Sequence, residues 1–368
     1  MAITLSKTEV TTQKKTASLL SFKLGVSLTE KIFFIQNLQV MVRTGISLAA
    51  ALRTLADQAG SKRFQKVLKE MQEKVEKGQS FASALGNYPH IFPDLMVSMV
   101  ESGELSGKLE EVLKQLTIQL KKDHELVAKV RGAMMYPAIV IIAMAGIGTG
   151  MMIFVVPRLI SIFDEFKATL PLPTRVLISV SNFITSHGAL LLVLFTVMAV
   201  GLRIFSKTER GKKIFHGMLL YAPVFGGIVK KVNLARISRT FSSLLNTDIP
   251  IVQTALISSR TINNFYYRAS LVDLSEKLKK GSQVNTVFES YPHLYPPVVS
   301  QLARVGEESG SLDNVLAELA AFYEEDVDQI MKNLPSVIEP LLILILGAGV
   351  GAMAVAIIMP MYSLTQSI

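Results

Sequence analysis

Gly103-Glu104-Leu105-Ser106-Gly107, followed by Leu109, returns as Gly306-Glu307-Glu308-Ser309-Gly310, followed by Leu312. Upstream, Tyr88-Pro89-His90 with Pro93 returns as Tyr291-Pro292-His293 with Pro296. Downstream, Pro137 and Pro157 bracket an apolar run, and Pro340 and Pro360 bracket another. Each pair stands 203 positions apart, and so do Thr44 and Thr247, Ile46 and Ile249, and Lys77-Gly78 and Lys280-Gly281. A gapless repeat of that length makes the chain two copies of one unit with a segment inserted between them.

Composition sets the class of protein. Half of the 368 residues are hydrophobic and 18% are charged, and the mean hydropathy is +0.41. That is too apolar for an ordinary soluble chain. With no cysteine, disulfides and thiolate metal sites are excluded. The formal net charge of +9 raises nucleic acid as a partner, but no surface of interleaved aromatic and basic residues is legible, and nucleic-acid binding is not expected.

Residues 1–28 are polar and mixed and read as a flexible cytoplasmic tail. The run Leu19-Leu20-Ser21-Phe22 is too short for a secretory signal. Residues 29–135 read as a helical bundle. Its helices are predicted near 29–43, from Ser47 as an N-cap, over 61–77, 80–86 and 92–102, and from 107 into the membrane. Leu109, Val112, Leu113, Leu116 and Leu120 form one face of the last. The second bundle, 204–338, repeats the plan with Leu312, Val315, Leu316 and Leu319.

Three stretches read as membrane spans. Residues 137–157 and 340–360 each provide about 30 Å of helix, the thickness of the hydrocarbon core. Between their bracketing prolines they hold no ionisable side chain. The middle span, 176–203, is expected to be broken early by Ser186-His187-Gly188. Residues 158–175 form a short external loop and 361–368 an external tail. Lys121, Lys122, Lys129 and Arg131 before the first span, and Arg203, Lys207, Arg210, Lys212 and Lys213 after the second, place both bundles and the N-terminus on the cytoplasmic side. The fold class is thus all-α: a polytopic membrane protein with two duplicated cytoplasmic bundles and three transmembrane helices. Its basic balance serves topology and attraction to membrane lipid.

The repeated motif has a structural reading first. Gly103 is expected to end one helix in a left-handed conformation and Ser106 to cap the next, with Gly107 completing the turn, and likewise Gly306, Ser309 and Gly310. A turn does not require a carboxylate, so Glu104 and Glu307 stand apart. Each can bind backbone N–H groups, pair with a base, or contact a partner. His90 and His293 follow Tyr-Pro in a turn and have no nucleophile or orienting carboxylate beside them, so no catalytic set is expected. Gly146-Ile147-Gly148-Thr149-Gly150 lacks the Lys-Ser/Thr ending of a phosphate loop, and no cofactor or metal is expected. Gly146 and Gly150, and Gly347 and Gly351, have the spacing that lets membrane helices pack closely, against each other or another subunit.

The GELSG motif and its second copy, the Thr247-Asp248-Ile249-Pro250 turn, and Pro157-Arg158 leading to Leu170-Pro171-Leu172-Pro173-Thr174-Arg175 resemble one family. It is the inner-membrane platform protein shared by type IV pilus machines and type II secretion systems, the PilC/GspF family. The likeness runs from about residue 28 to 362, although Thr44-Gly45-Ile46-Ser47 stands where the second copy has Asp248 and Pro250. The resemblance implies a non-enzymatic protein in the inner membrane. It would couple a cytoplasmic hexameric assembly ATPase to insertion of pilin or pseudopilin subunits, with other inner-membrane assembly proteins as neighbours and self-association into a homo-oligomer. Surfaces near Glu104 and Glu307 are candidate contacts. A two-repeat membrane transporter is the alternative, and the uncharged spans count against it; a membrane-bound enzyme would need a catalytic set that the motifs do not supply.

Overall fold

A computed structural model describes residues 26–165, 171–223 and 225–365. The expected N-terminal tail falls almost wholly outside them. Among the described residues every regular element is helical, and the chain divides into two compact units, 1–114 and 115–368.

The first unit holds α1 (Leu28–Arg43), α2 (Leu48–Asp57), α3 (Lys62–Glu76), α4 (Phe81–Gly86), α5 (Asp94–Ser106) and the opening of α6 (Leu109–Gly150). Serines start four of these helices. Ser27, Ser47, Ser61 and Ser80 each accept a backbone N–H in the first turn. Ser27 also forms a reciprocal box, its own N–H donating to Glu30. Such caps occupy donors that the first turn leaves without helical partners. The core centres on Phe34, Phe64 and Phe92, whose ring centroids lie 5.5 to 6.3 Å apart.

The second unit takes over α6 and its continuation through a π-helical turn, Met151–Val155, into α7 (Val156–Glu165). Then come α8 (Leu172–Phe205), α9 (Glu209–Tyr221), α10 (Phe225–Leu245), α11 (Ile251–Thr261), α12 (Phe265–Lys279), α13 (Val284–Glu289), α14 (Pro297–Ser309) and α15 (Leu312–Thr365). Its core repeats the first with polar edits. Tyr267 and Tyr295 stand where the first copy has Phe64 and Phe92, and both are buried. A buried hydroxyl needs a partner. Tyr267 donates to the Leu294 carbonyl at 2.8 Å, and the Tyr295 hydroxyl is 2.8 Å from that of Ser270, which replaces Val67.

The repeat extends to single bonds. Tyr88 donates to Glu70 at 2.5 Å and Tyr291 to Asp273 at 2.9 Å, at matching positions. Burial, with the Glu70 carboxylate accepting its hydrogen, pushes the Tyr88 phenol up to about 12. The folded value lies above the free phenol's roughly 10. The stabilisation is therefore whole below about pH 10 and lost as pH rises through about 12. Tyr88→Phe should be less stable than the parent at pH 9, with the gap closing by pH 12; denaturant midpoints in detergent across that range check it, and a constant gap would contradict the bond's role.

Three helices are long and apolar enough to cross a membrane: Leu109–Ser161, Leu172–Phe205 and Leu312–Pro360. Pro137, Pro335, Pro340 and Pro360 lie inside these continuous helices, and two other features differ from expectation. A proline removes one internal hydrogen bond but need not stop a helix in an apolar medium, where leaving the helix would orphan many more backbone groups. For the same reason α8 runs unbroken through Ser186-His187-Gly188, with His187 stacked on Phe183 at 5.2 Å. The segment expected as a loop is mostly helical: α7 reaches Glu165 and α8 begins at Leu172.

Candidate functional site

The repeated motif builds a clamp within each copy. In the first unit both oxygens of Glu104 accept backbone N–H groups, from Phe81 at 2.7 Å and Ala82 at 2.9 Å. In the second, Glu307 accepts from Val284 at 2.7 Å and Asn285 at 3.1 Å. These donors open α4 and α13, six-residue helices. A carboxylate at a helix start satisfies donors that have no partner inside the helix and meets the positive end of its dipole. Of the three roles open to these acids, the geometry provides the first.

The glycines work differently from the expected turn. Gly103 and Gly306 lie inside α5 and α14, buried, and end nothing. The left-handed residues are Gly107 and Gly310, at φ of 71° and 67°. Ser106 and Ser309 close the preceding helices, donating to the carbonyls of Ser102 and Val305, and do not cap the helices that follow. What Gly103 and Gly306 supply is space. A Cβ on Gly103 would come 2.7 Å from Cγ2 of Val112, and one on Gly306 would come 2.9 Å from Cα of Leu312.

Both alanine variants should therefore be destabilised, by about 1–3 kcal/mol as for other overpacked sites. Gly103→Ala should be partly rescued by Val112→Ala, which removes Cγ2 at 2.7 Å but leaves the Val112 Cβ at 2.9 Å. Gly306→Ala should not be rescued by Leu312→Ala, because the collision there is with backbone. Hydrogen exchange resolved to α5 and α14 tests the contrast, and equal rescue at both sites would refute it.

A second feature lies wholly within the second unit, along the lengths of α6 and α15 that precede their apolar runs. Arg239 of α10 grips Glu324 of α15 through two nitrogens at 2.8 and 3.0 Å, and these side chains are only 17% and 15% exposed. Lys122 of α6 reaches the same carboxylate at 3.5 Å, and Lys129 meets Asp328 at 2.8 Å. Arg236 pairs with Asp123, and Lys231 with Asp326, each at 2.8 Å. Asp328 is held below the usual carboxylate range by hydrogen bonds from Lys129 and Lys332, against a smaller opposing effect of burial. Beside the pairs, the buried Gln119 amide donates to Thr240 at 3.2 Å and accepts from Ser243 at 3.0 Å. Lys122, Lys129, Arg239, Glu324 and Asp328 line a cleft of about 290 Å³.

Lys122, Lys129 and the acids 324–328 bear on topology in the sequence; their pairing was not anticipated. A signal existed, since the repeat sets Lys121 and Lys122 of one copy against Glu324 and Glu325 of the other.

Hydrogen bonds join the spans. Thr174 donates to the Ala356 carbonyl and Ser181 to that of Met152, both at 2.6 Å. Met152 belongs to the π-helical turn, where the regular bonding pattern is shifted. The four glycines expected to pack the spans are open: nothing in the described residues comes within 4 Å of a Cβ built on Gly146, Gly150, Gly347 or Gly351. Among the described residues they make no contact between spans. No group of three or more His, Cys, Asp or Glu suited to a metal occurs among the described residues.

The model of type II secretion system protein F matches this chain twice, over residues 34–157 and 237–360. The two matches are themselves 203 positions apart, the period of the clamps, the glycines and the tyrosine bonds. The chain belongs to the type II secretion system protein F family. Among its relatives, the type IV pilus assembly protein PilC of Thermus thermophilus is 33% identical over 92% of this chain and 84% of its own length. PilC of Pseudomonas aeruginosa is 31% identical over 96% of this chain and 94% of its own. The type II secretion system protein F of the same organism is 31% identical over 94% of this chain and 85% of its own. The relatives thus include pilus and secretion components, and this chain carries the family's domain twice, with three helices suited to a membrane.

Proposed function

We propose that this protein is the inner-membrane platform of a type IV pilus or type II secretion machine. It couples a cytoplasmic hexameric assembly ATPase to the insertion of pilin or pseudopilin subunits, without catalysing a reaction itself. The observation that carries this reading is the pair of long helices. Each of α6 and α15 begins among buried residues, with Val112, Leu113 and Leu116 on one and Leu316 and Leu319 on the other, and continues as helix into an apolar run. A helix without an intervening loop transmits displacement, so a push on a bundle becomes a shift or rotation of a span.

The bundles and the N-terminus face the cytoplasm in this reading, because Lys and Arg gather at the ends of the first two spans that lead into them. Contacts with the motor fall on the surface around the repeated turn, since the Glu104 and Glu307 carboxylates are occupied within their own bundles. Leu105, 84% exposed beside Glu104, is the first position to examine. The open glycines of the first and third spans are where a second copy of the chain, or a pilin span, approaches.

Photo-crosslinkers placed on the full-length protein in native membranes, at Leu105 and across 28–131 and 230–335, test the reading. Recovery of a hexameric ATPase and pilin-like subunits is the expected result. Recovery of neither from intact, correctly oriented protein would overturn it.

A further inference from the structure

Helix α9 follows α8 after only three residues, Ser206 to Thr208, so it starts at the level where the second span leaves the apolar layer. One side of it is fastened to the second unit. On that side Gly217 lies where a Cβ would be 2.8 Å from the Tyr266 hydroxyl, while at the start of the helix Gly211 packs beneath the Phe205 carbonyl that ends α8. Leu220 is buried, and His216 Nδ1 accepts the Phe265 N–H at 3.1 Å. These contacts fix the rotation of α9 about its axis.

That rotation turns Ile214, Phe215, Met218 and Tyr221 outward. They fall within one arc of the helix at 100° per residue, and each is more than half exposed. Four large apolar side chains on one arc of a thirteen-residue helix are not scattered surface residues; a contiguous patch marks an interaction surface. The same helical geometry places Arg210 at one edge of the arc and Lys212 beyond the other. Between Arg203 and Lys231 there are seven Lys or Arg and one acid, Glu209, which pairs with Lys212 at 3.1 Å. The apolar arc is also continuous along the chain with the exposed Ile204 and Phe205 that end α8.

We infer that α9 is an interfacial helix, its Ile214, Phe215, Met218 and Tyr221 face sunk into the headgroup–acyl boundary beside the second span. A large apolar face edged by bases, tethered at the end of a span, meets the requirements of such a helix. Arg210 and Lys212 extend along its flanks towards the headgroups. The occupant of this face is lipid, because the preceding span places the face at bilayer depth and the flanking charge suits anionic headgroups. The inference rests on α8 crossing the membrane, and holds for either orientation of the chain. In the working machine, α9 would keep the second unit seated against the membrane surface while the spans move.

The absence of cysteine makes the test direct. Full-length protein carrying single Phe215→Cys, Met218→Cys, Lys213→Cys or Val193→Cys, labelled with an environment-sensitive fluorophore, is reconstituted into phosphatidylethanolamine–phosphatidylglycerol vesicles. A quencher attached high on the lipid chains should quench positions 215 and 218 at least about twofold more than 213, as expected for a face several ångströms below the headgroups. A quencher deep in the bilayer should act most strongly on 193. If 193 is quenched while 215 and 218 are as open to aqueous iodide as 213, the interfacial helix is refuted and the span stands. Shielding of 215 and 218 from both lipid and aqueous quenchers would mean that protein covers the face, and also refutes the inference. Failure of the deep quencher at 193 would remove the span and the inference with it.

Discussion

Replacing Glu324 with alanine should cost the second unit about 3 kcal/mol, the loss seen when one partner of a largely buried ion pair is removed. Arg239 would keep its charge and its sheltered position but lose the carboxylate that takes two of its N–H groups. Lys122, which reaches the same oxygen pair, would be left beside it, so two like charges would face each other across the cleft. Removing both members should be much milder. Arg239→Met with Glu324→Leu keeps the volume and buries no charge, and such swaps are often neutral or stabilising. Because the protein has two units and membrane helices, a single unfolding temperature is a poor measure. Hydrogen exchange resolved to α10 and the opening of α15 is the appropriate readout. Faster exchange in Glu324→Ala, returning to parental rates in the double variant, is the expected pattern. Unchanged exchange in Glu324→Ala would show that the pair contributes nothing.

Glu307→Ala should be the next most costly change, by about 2–4 kcal/mol, since hydrogen bonds to charged groups are worth roughly 1.5–3 kcal/mol each and this site is partly wet. Two backbone donors lose their acceptor, at the start of a helix of six residues. A helix that short has no stability of its own, so α13 should exchange its amides as though unfolded. Glu104→Ala should do the same to α4 in the first unit. There the Ser80 hydroxyl also caps the helix, whereas Gln283 at the matching position makes no side-chain cap. Glu307→Ala should consequently be the more damaging of the two. Glutamine at either position keeps one acceptor and should be intermediate. The order Ala, Gln, Glu in amide protection of α4 and α13 checks the clamp. Full protection in both alanine variants would return the two carboxylates to the role of partner contacts.

Much of the architecture was legible in the residues. The starts of α1, α3 and α4 fall within a residue of expectation because polar caps and helical spacing are local signals. The three apolar runs were plain for the same reason. The site was less legible. The motif singled out Gly103, Ser106, Glu104 and their counterparts, but local rules put the left-handed turn at Gly103 when it lies at Gly107. A glycine needed for close approach and a glycine needed for its φ are indistinguishable in one sequence. The spacing of Gly146, Gly150, Gly347 and Gly351 pointed to packed spans, whereas Thr174 and Ser181 make the polar contacts between them.

The sequence by itself determined that the protein is a duplicated, all-helical chain with three apolar segments, because a repeat of 203 positions and a run of uncharged residues need no knowledge of contacts. Only the tertiary structure decided what the repeated acids do, which glycine is space and which is turn, and that bases of one copy are matched by acids of the other. Those properties depend on distances between residues far apart in the chain: 22 or 23 positions for each clamp, 85 for Arg239 and Glu324. They were fixed when the helices packed and backbone donors, buried charges and side-chain volumes had to be satisfied together.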